Sequence, residues 1–397
     1  MKLLIVGGVA GGASAAARAR RLAEDAHIIL FERGPDISFA NCGLPYYIGG
    51  AIVDRKKLLV TTPERLRARF NIDVRTLTSV DAIDRARKTL RVRELNTGRE
   101  YEEAYDKLIL APGATPVRPP ISGIDLHGIF TLRTMQDMDR IKDRVDRGAR
   151  QAVVIGAGFI GLELVENFVR RGIATTMIEL QDQVLPPFDK EMTTPINQTL
   201  KSHGVTIMLG DSAESFEQTA DGLLVHLKSG RRVPSQLVIL GVGVRPESKL
   251  AADAGLEVGP RGGIRVNDFL QTSDPDIYAV GDAIETKDFI SGDRTQVPLA
   301  GPANRQGRIA ADNCIGREVR FRGTQGTAIV GIFGCAAALT GMSEKTLRRS
   351  GREFRTIYVH PLHHAGYYPG AEPMTLKVLF DLPTGRLLGA QAVGGPG

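Results

Sequence analysis

At 397 residues the chain exceeds one typical domain and reads as two or three. Its composition, 42% hydrophobic and 24% charged with no low-complexity tract, is that of a folded globular protein. A formal charge of +6 without an aromatic-interleaved basic stripe argues against nucleic acid, and no apolar run is long enough to span a bilayer.

The first element is the short apolar strand Lys2 to Val6. Gly7-Gly8-Val9-Ala10-Gly11-Gly12, then Arg18, Arg20 and Arg21, end the apolar run too early for a secretory leader. An Ala-rich helix is predicted from about Ala13 to Leu22, and a strand, Ile28 to Phe31, ending at Glu32. A β-rich stretch, Val74 to Val92, and the strand Lys107 to Leu110 follow; the latter stops at Ala111-Pro112-Gly113. The opening pattern then repeats about 150 residues on. Ala152 to Ile155 is a strand, Gly156-Ala157-Gly158-Phe159-Ile160-Gly161 a turn, about Leu162 to Arg170 a helix, and Thr175 to Ile178 a strand ending at Glu179. Leu237 to Leu240 stops at Gly241-Val242-Gly243, and Ile277 to Ala283 runs an apolar strand into Gly281-Asp282. From about Gly323 alternating strands with a helix near Ser343 to Arg349 predict a separate α+β domain. The sequence stops at Gly397 directly after an apolar strand, which predicts a missing C-terminal portion.

Each β-α-β unit places an acidic residue about 20 positions after its last glycine, as dinucleotide-binding units do. Glycines let backbone N–H groups approach a pyrophosphate at the positive end of the following helix. Gly156, Gly158 and Gly161 form the complete fingerprint, whereas Val9 replaces the middle glycine of the first turn. Glu32 and Glu179 are suited to binding both hydroxyls of an adenosine ribose. No arginine follows Glu179 in Leu180-Gln181-Asp182-Gln183, which favours NADH over NADPH at the second unit. Asp282, at a strand end, suits the ribityl hydroxyls of a flavin; otherwise it is a capping aspartate.

Cys42 lies in Ser38-Phe39-Ala40-Asn41-Cys42-Gly43-Leu44-Pro45, with no second cysteine at Cys-x-x-Cys or Cys-x4-Cys spacing; Cys314 and Cys335 are remote in sequence. Three irregularly spaced cysteines argue against a disulfide framework and a metal site and fit a reducing, cytoplasmic compartment. If Cys42 does redox chemistry, its partner sulfur comes from a substrate. It then needs a lowered pKa, which a helix opening at Gly43-Leu44-Pro45 could provide. Arg18 and Arg21 share a helix face. They form one basic cluster, and Arg65, Arg67, Arg69, Lys56 and Lys57 form another; these suit a phosphate-rich substrate or are solvated faces.

These blocks, with His364-Ala365-Gly366-Tyr367-Tyr368-Pro369-Gly370, resemble the FAD-dependent pyridine nucleotide-disulfide oxidoreductases. The resemblance is to their single-cysteine branch of coenzyme A disulfide reductases and NADH-dependent persulfide or polysulfide reductases, and it runs along essentially the whole chain. It implies an α/β fold with two Rossmann-like dinucleotide-binding domains and a C-terminal α+β dimerisation domain, incomplete here. The FAD domain would be residues 1–112 and 245–320, the NAD(P)H domain 113–244, and the dimerisation domain 321–397.

By this resemblance FAD is held through Gly7, Val9, Ala10, Gly12, Glu32 and Arg33, and through Asn41, Cys42 and Val80. Ala111, Gly113, Arg133, Asp282, Leu299 and Ala300 complete that set. NADH would meet Gly156, Gly158, Phe159, Ile160 and Gly161, with Glu163, Glu179 and Gly243. Ser14, Arg18, Arg21, Ser38 and Asn41 would line the thiol-substrate channel. Cys42 would be the redox nucleophile, and Tyr367 would reach into the active site of a homodimer partner, or else pack at the interface.

The implied activity is NADH-dependent reduction of coenzyme A disulfide, persulfide or polysulfide through a mixed disulfide on Cys42. The rivals are an NADH oxidase reducing dioxygen at the flavin, and a flavin-binding redox sensor or inactive truncated flavoprotein that does not turn over. Ala10 stands where peroxidase and oxidase relatives carry a histidine, which argues against peroxide or dioxygen chemistry on Cys42. Relatives continue with a second active-site tyrosine, and some with a rhodanese domain.

Overall fold

The computed structural model describes residues 1–395, and the chain forms two compact units. The first comprises Met1–Ala40, Lys56–Thr115 and Val244–Thr324. Its parallel five-stranded sheet runs in the order Ile277–Ala279, Lys107–Leu110, Lys2–Val6, His27–Phe31 and Asp73–Arg75. Leu3, Leu4, Ile5, Ile28, Ile29 and Leu30 are all buried, as expected of strands covered on both faces. Each such side chain contributes roughly 1.5–3 kcal/mol of transfer free energy. The strands Thr78–Asp84, Thr89–Glu94 and Glu100–Ala104 make a separate antiparallel sheet.

The helix Gly11–Leu22 buries Ala13, Ala15, Ala16 and Ala19, and the helix Ala300–Cys314 packs on it closely enough to require glycine. A Cβ on Gly307 would lie 2.1 Å from the Gly11 carbonyl oxygen. Arg18 is drawn into this packing: its guanidinium binds the nearly buried Asp312 through both Nε (3.1 Å) and Nη2 (2.9 Å).

The second unit comprises Asn41–Arg55, Pro116–Gly243 and the chain from Gln325 on. Its parallel sheet runs Thr206–Leu209, Ala174–Glu179, Gln151–Ile155, Leu237–Leu240 and Ile129–Phe130. The C-terminal part is an antiparallel sheet in the order Ala328–Ile332, Cys335–Gly341, Leu387–Gly394, Met374–Phe380 and Arg355–Val359, with the helix Glu344–Arg349. Among the described residues no helix is long and apolar enough to cross a membrane.

Both nucleotide-unit helices begin earlier than their sequence patterns suggested, at Gly11 and Phe159 instead of about Ala13 and Leu162. The last glycine of each turn already has helical backbone, because its missing side chain leaves room for the carbonyl of the first.

Within the second unit, Tyr358, Lys377 and Gln391 stand in one cross-strand row of the C-terminal sheet. Lys377 is fully buried, and its ammonium contacts Asp189 at 2.9 Å, Glu191 at 2.5 Å and Glu344 at 2.7 Å. Gln391 bonds Asp189, and the Tyr358 hydroxyl donates to Glu191. Asp189 also accepts the N-terminal amides of Glu344 and Lys345 at 3.0 and 3.3 Å, capping a helix that Ser343 leaves uncapped.

Candidate active site

The two glycine turns are built alike. Gly7 has φ +97° and Gly156 φ +104°, conformations that L side chains rarely adopt. A Cβ on Gly7 would sit 2.1 Å from Ala111 O, and one on Gly156 2.3 Å from Gly241 O. Gly12 and Gly161 in turn abut the carbonyls of Gly7 and Gly156, at 1.8 and 2.1 Å from where a Cβ would be. In the middle position the units differ: Gly158 has open space before it, whereas Val9 carries a side chain.

Glu32 and Glu179 are equivalent in contacts as well as in spacing. Glu32 accepts the amides of Gly8 and Gly34, both at 2.8 Å. Glu179 accepts those of Ala157 at 2.7 Å and Gln181 at 2.9 Å. Each carboxylate oxygen keeps a further lone pair for a donor such as a ribose hydroxyl. Burial raises the Glu32 carboxyl above its ordinary range, against the lowering effect of the Gly34 and Gly8 amides.

Neither nucleotide-unit helix carries a side-chain cap, and neither has an acidic residue in its first turn. The helices Pro63–Phe70 and Met135–Asp146, by contrast, are capped by Thr62 and Thr134. The uncapped amides at the two glycine turns fit a bound pyrophosphate.

Of the remaining predicted flavin contacts of the first unit, Ala111, Gly113 and Asp282 follow the ends of the strands Lys107–Leu110 and Ile277–Ala279, whereas Val80 lies in the antiparallel sheet. Asp282 lies in the turn Gly281–Ala283, whose Gly281 amide donates to Gln306 Oε1 at 2.8 Å, and Leu299 and Ala300 open that glutamine's helix. Arg33 pairs with Glu247 at 3.5 Å, Glu247 N donates to Gly113 O, and Val80 packs against the core. Asn41, Cys42 and Arg133 belong to the second unit, where the Asn41 amide donates to Arg133 O at 3.2 Å. Phe159 and Ile160 form the first turn of their helix, and Gly243, at φ +105°, accepts from Val117 N.

Cys42 is exposed and unpaired, in the turn Asn41–Gly43 that runs into the helix Leu44–Ile48. Its thiol differs from expectation: desolvation raises its pKa and the Glu163 charge adds to the rise, while only its own backbone amide opposes them. The Glu163 carboxyl is itself pushed up to about 7 by burial and by Glu166. Cys314 is buried, with its thiol strongly raised by desolvation, which makes it inert.

In the first unit Ser14, Arg21, Ser38, Arg65, Arg69 and Arg308 line a cleft of about 590 Å³. Ser38 adopts φ +45°, tied through its amide to Gly8 O at 2.9 Å and through its carbonyl to Val60 N at 2.8 Å. Ser14 donates to Asn304 Oδ1 at 2.9 Å. Arg18 does not line this cleft, because Asp312 holds its guanidinium among the helices. Arg308 does, and the sequence reading missed it; its only signal was a basic residue on a glycine-containing helix. Tyr367 is 92% exposed in the single chain.

Residues 1–307 match the pyridine nucleotide-disulphide oxidoreductase family, and 327–397 match its dimerisation domain. The coenzyme A disulfide reductase of Staphylococcus haemolyticus is 37% identical over 398 residues, covering 100% of this chain and 88% of that protein. The solved structure of reduced Bacillus anthracis CoADR-RHD superposes with a TM-score of 0.97 and 49% identity, over 100% of this chain and 71% of that one. A NAD-dependent persulfide reductase from A. fulgidus gives a TM-score of 0.97 at 36% identity, over 100% of this chain and 74% of its own.

Proposed function

The chain belongs to the pyridine nucleotide-disulphide oxidoreductases and is an enzyme of that class; from this premise we propose that it uses NADH to reduce coenzyme A disulfide, coenzyme A persulfide or polysulfide through a mixed disulfide on Cys42. Membership implies FAD and a nicotinamide nucleotide as cofactors. The domain assignment we adopt gives FAD to residues 1–112 and 245–320, the nicotinamide nucleotide to 113–244, and dimerisation to 321–397, and the dimerisation-domain match supports a homodimer.

The observation that carries the reading is the exposed Cys42 thiol, unpaired among the described residues, so that a second sulfur must come from a substrate. The arginine-lined cleft of the first unit supports a thiol bearing phosphate groups. Glu32 and the first glycine turn would hold FAD; Glu179 and the second would hold NADH. The chemistry FAD supplies when bound is acceptance of the NADH hydride and delivery of its electron pair to sulfur.

Cys42 Sγ attacks one sulfur of the substrate, the S–S bond breaks, and the first thiol leaves with the Cys42 proton. Two electrons and two protons then divide the mixed disulfide into the second thiol and the Cys42 thiol. The sum is one disulfide, one NADH and one proton giving two thiols and NAD⁺. Anaerobic assay with coenzyme A disulfide is therefore expected to yield two thiols per NADH. NADH consumption only on admission of dioxygen, with no thiol formed, would overturn the reading in favour of an oxidase.

The preference for NADH rests on Glu179, whose carboxylate repels a 2′-phosphate and accepts from ribose hydroxyls. Glu179→Ser is expected to lower kcat/KM for NADH by roughly tenfold, the scale of one charge-assisted hydrogen bond, and to narrow the margin over NADPH. Steady-state kinetics with both nucleotides check this. A wild-type enzyme that prefers NADPH contradicts it.

A further inference from the structure

Cys42 is carried by the segment Asn41–Arg55, which folds as part of the second unit. Several contacts hold that segment at its margins. Arg55 pairs with Asp139 at 3.0 Å, Arg171 Nη1 reaches the Ile48 carbonyl at 3.4 Å, and the Lys142 ammonium lies 5.3 Å from the Tyr47 ring centre. These are partly solvated and individually weak.

The central contact is of another kind. Asn167, on the helix Phe159–Arg170, is 0% exposed. Its Nδ2 donates to the Glu163 carbonyl at 2.8 Å, while its buried Oδ1 has no hydrogen-bond partner. An orphaned buried acceptor is costly and calls for a reason. Facing it is Gly49: a Cβ there would lie 1.9 Å from Asn167 Oδ1, 2.6 Å from Cγ and 2.7 Å from Cβ. Gly49 has φ −72° and ψ −13°, open to any residue, so it is space and not backbone freedom that demands glycine here.

We propose that Gly49 and Asn167 form a seat that fixes the position of Cys42, making Asn167 a positioning residue for the reaction. Gly49 ends the short helix Leu44–Ile48, its amide donating to Pro45 O at 2.9 Å, and Cys42 lies in the turn immediately before that helix. A displacement at Gly49 therefore moves Cys42 with it. Asn167 also fixes the Glu163 backbone, so the seat sets the separation between the thiol and the carboxyl whose charge acts on it.

The proposal rests on the reading that Cys42 forms the mixed disulfide, and its test separates the two. Gly49→Ala in the holoenzyme is expected to lower kcat about tenfold or more with little change in KM for NADH, since small misplacements of reacting groups are severe. It should also shift the pH midpoint of Cys42 alkylation by iodoacetamide in the resting enzyme. Combining it with Asn167→Gly, which removes all three clashing atoms together with the bond to the Glu163 carbonyl, should recover part of the loss, leaving kcat between the single variant and wild type. Unchanged kcat and alkylation in Gly49→Ala, or a pair no better than the single variant, would overturn the seat. Where Gly49→Ala does not fold, Asn167→Ser takes its place: a fall in kcat and a moved alkylation midpoint support the seat, and no change in either refutes it. Turnover persisting in Cys42→Ser defeats the function reading alone, because the alkylation arm still reports on the seat.

Discussion

Cys42→Ser is expected to abolish disulfide reduction, with a loss in kcat on the order of 10³-fold or more, the scale seen when a covalent nucleophile is removed. A serine hydroxyl ionises far above any working pH and does not exchange with a disulfide. The other two thiols are poorly suited to replace it: Cys314 is buried, and desolvation raises both it and Cys335. Electron transfer from NADH to ferricyanide should stay within about twofold of wild type, because that route needs no sulfur. Disulfide turnover that survives in the variant would sink the mixed-disulfide scheme.

Lys377→Met is expected to destabilise the second unit by about 3–5 kcal/mol, the range for breaking a buried ion pair from one side. The wild-type lysine is fully buried among Asp189, Glu191 and Glu344. Its removal leaves three carboxylates facing one another. The pH dependence follows from the shifts. Desolvation tends to raise Asp189 and Glu191, but their hydrogen bonds and Lys377 outweigh it. Lys377 is the leading cause of the lowering at Glu344, so all three sit below their ordinary values. Groups lowered by folding contribute stability above their ordinary pKa and lose it on acidification, here as pH falls below about 4. Lys377 is raised despite desolvation, so its contribution is present below the ordinary lysine value and lost at strongly alkaline pH. In the variant the crowded carboxylates are raised, and the Tm difference from wild type should shrink between pH 8 and pH 5. A Tm equal to that of wild type at pH 8 would refute the hub.

The nucleotide units were legible because their signal is local: glycine spacing, flanking apolar strands and a trailing glutamate lie within one stretch of chain. Lys377 was not, because a lysine in Met374–Phe380 reads as a solvent-facing strand position. Only the fold brings Asp189, Glu191 and Glu344 around it. Arg308 and Asn167 were missed for the same reason, since the cleft and the seat join residues remote in sequence. Arg18 shows the converse: helical spacing placed it beside Arg21, but Asp312, nearly 300 positions later, claims it. The thiol of Cys42 is raised, not lowered, because desolvation disfavours the anion and Glu163 adds to the rise, and the helix after it is only five residues long.

The interleaving of the two units also dictates an order of assembly. In the first sheet Lys107–Leu110 pairs on one side with Lys2–Val6 and on the other with Ile277–Ala279. The second parallel sheet, by contrast, takes all its strands from between Ile129 and Leu240. A ribosome therefore delivers every strand of the second parallel sheet while the first still lacks Ile277–Ala279. The glycine turn made first is the last to gain its full surroundings, and pairing across so long an intervening stretch is intrinsically slow. The nascent chain leaves one edge of Lys107–Leu110 unpaired throughout that interval, and an unpaired strand edge is a template for pairing with other chains.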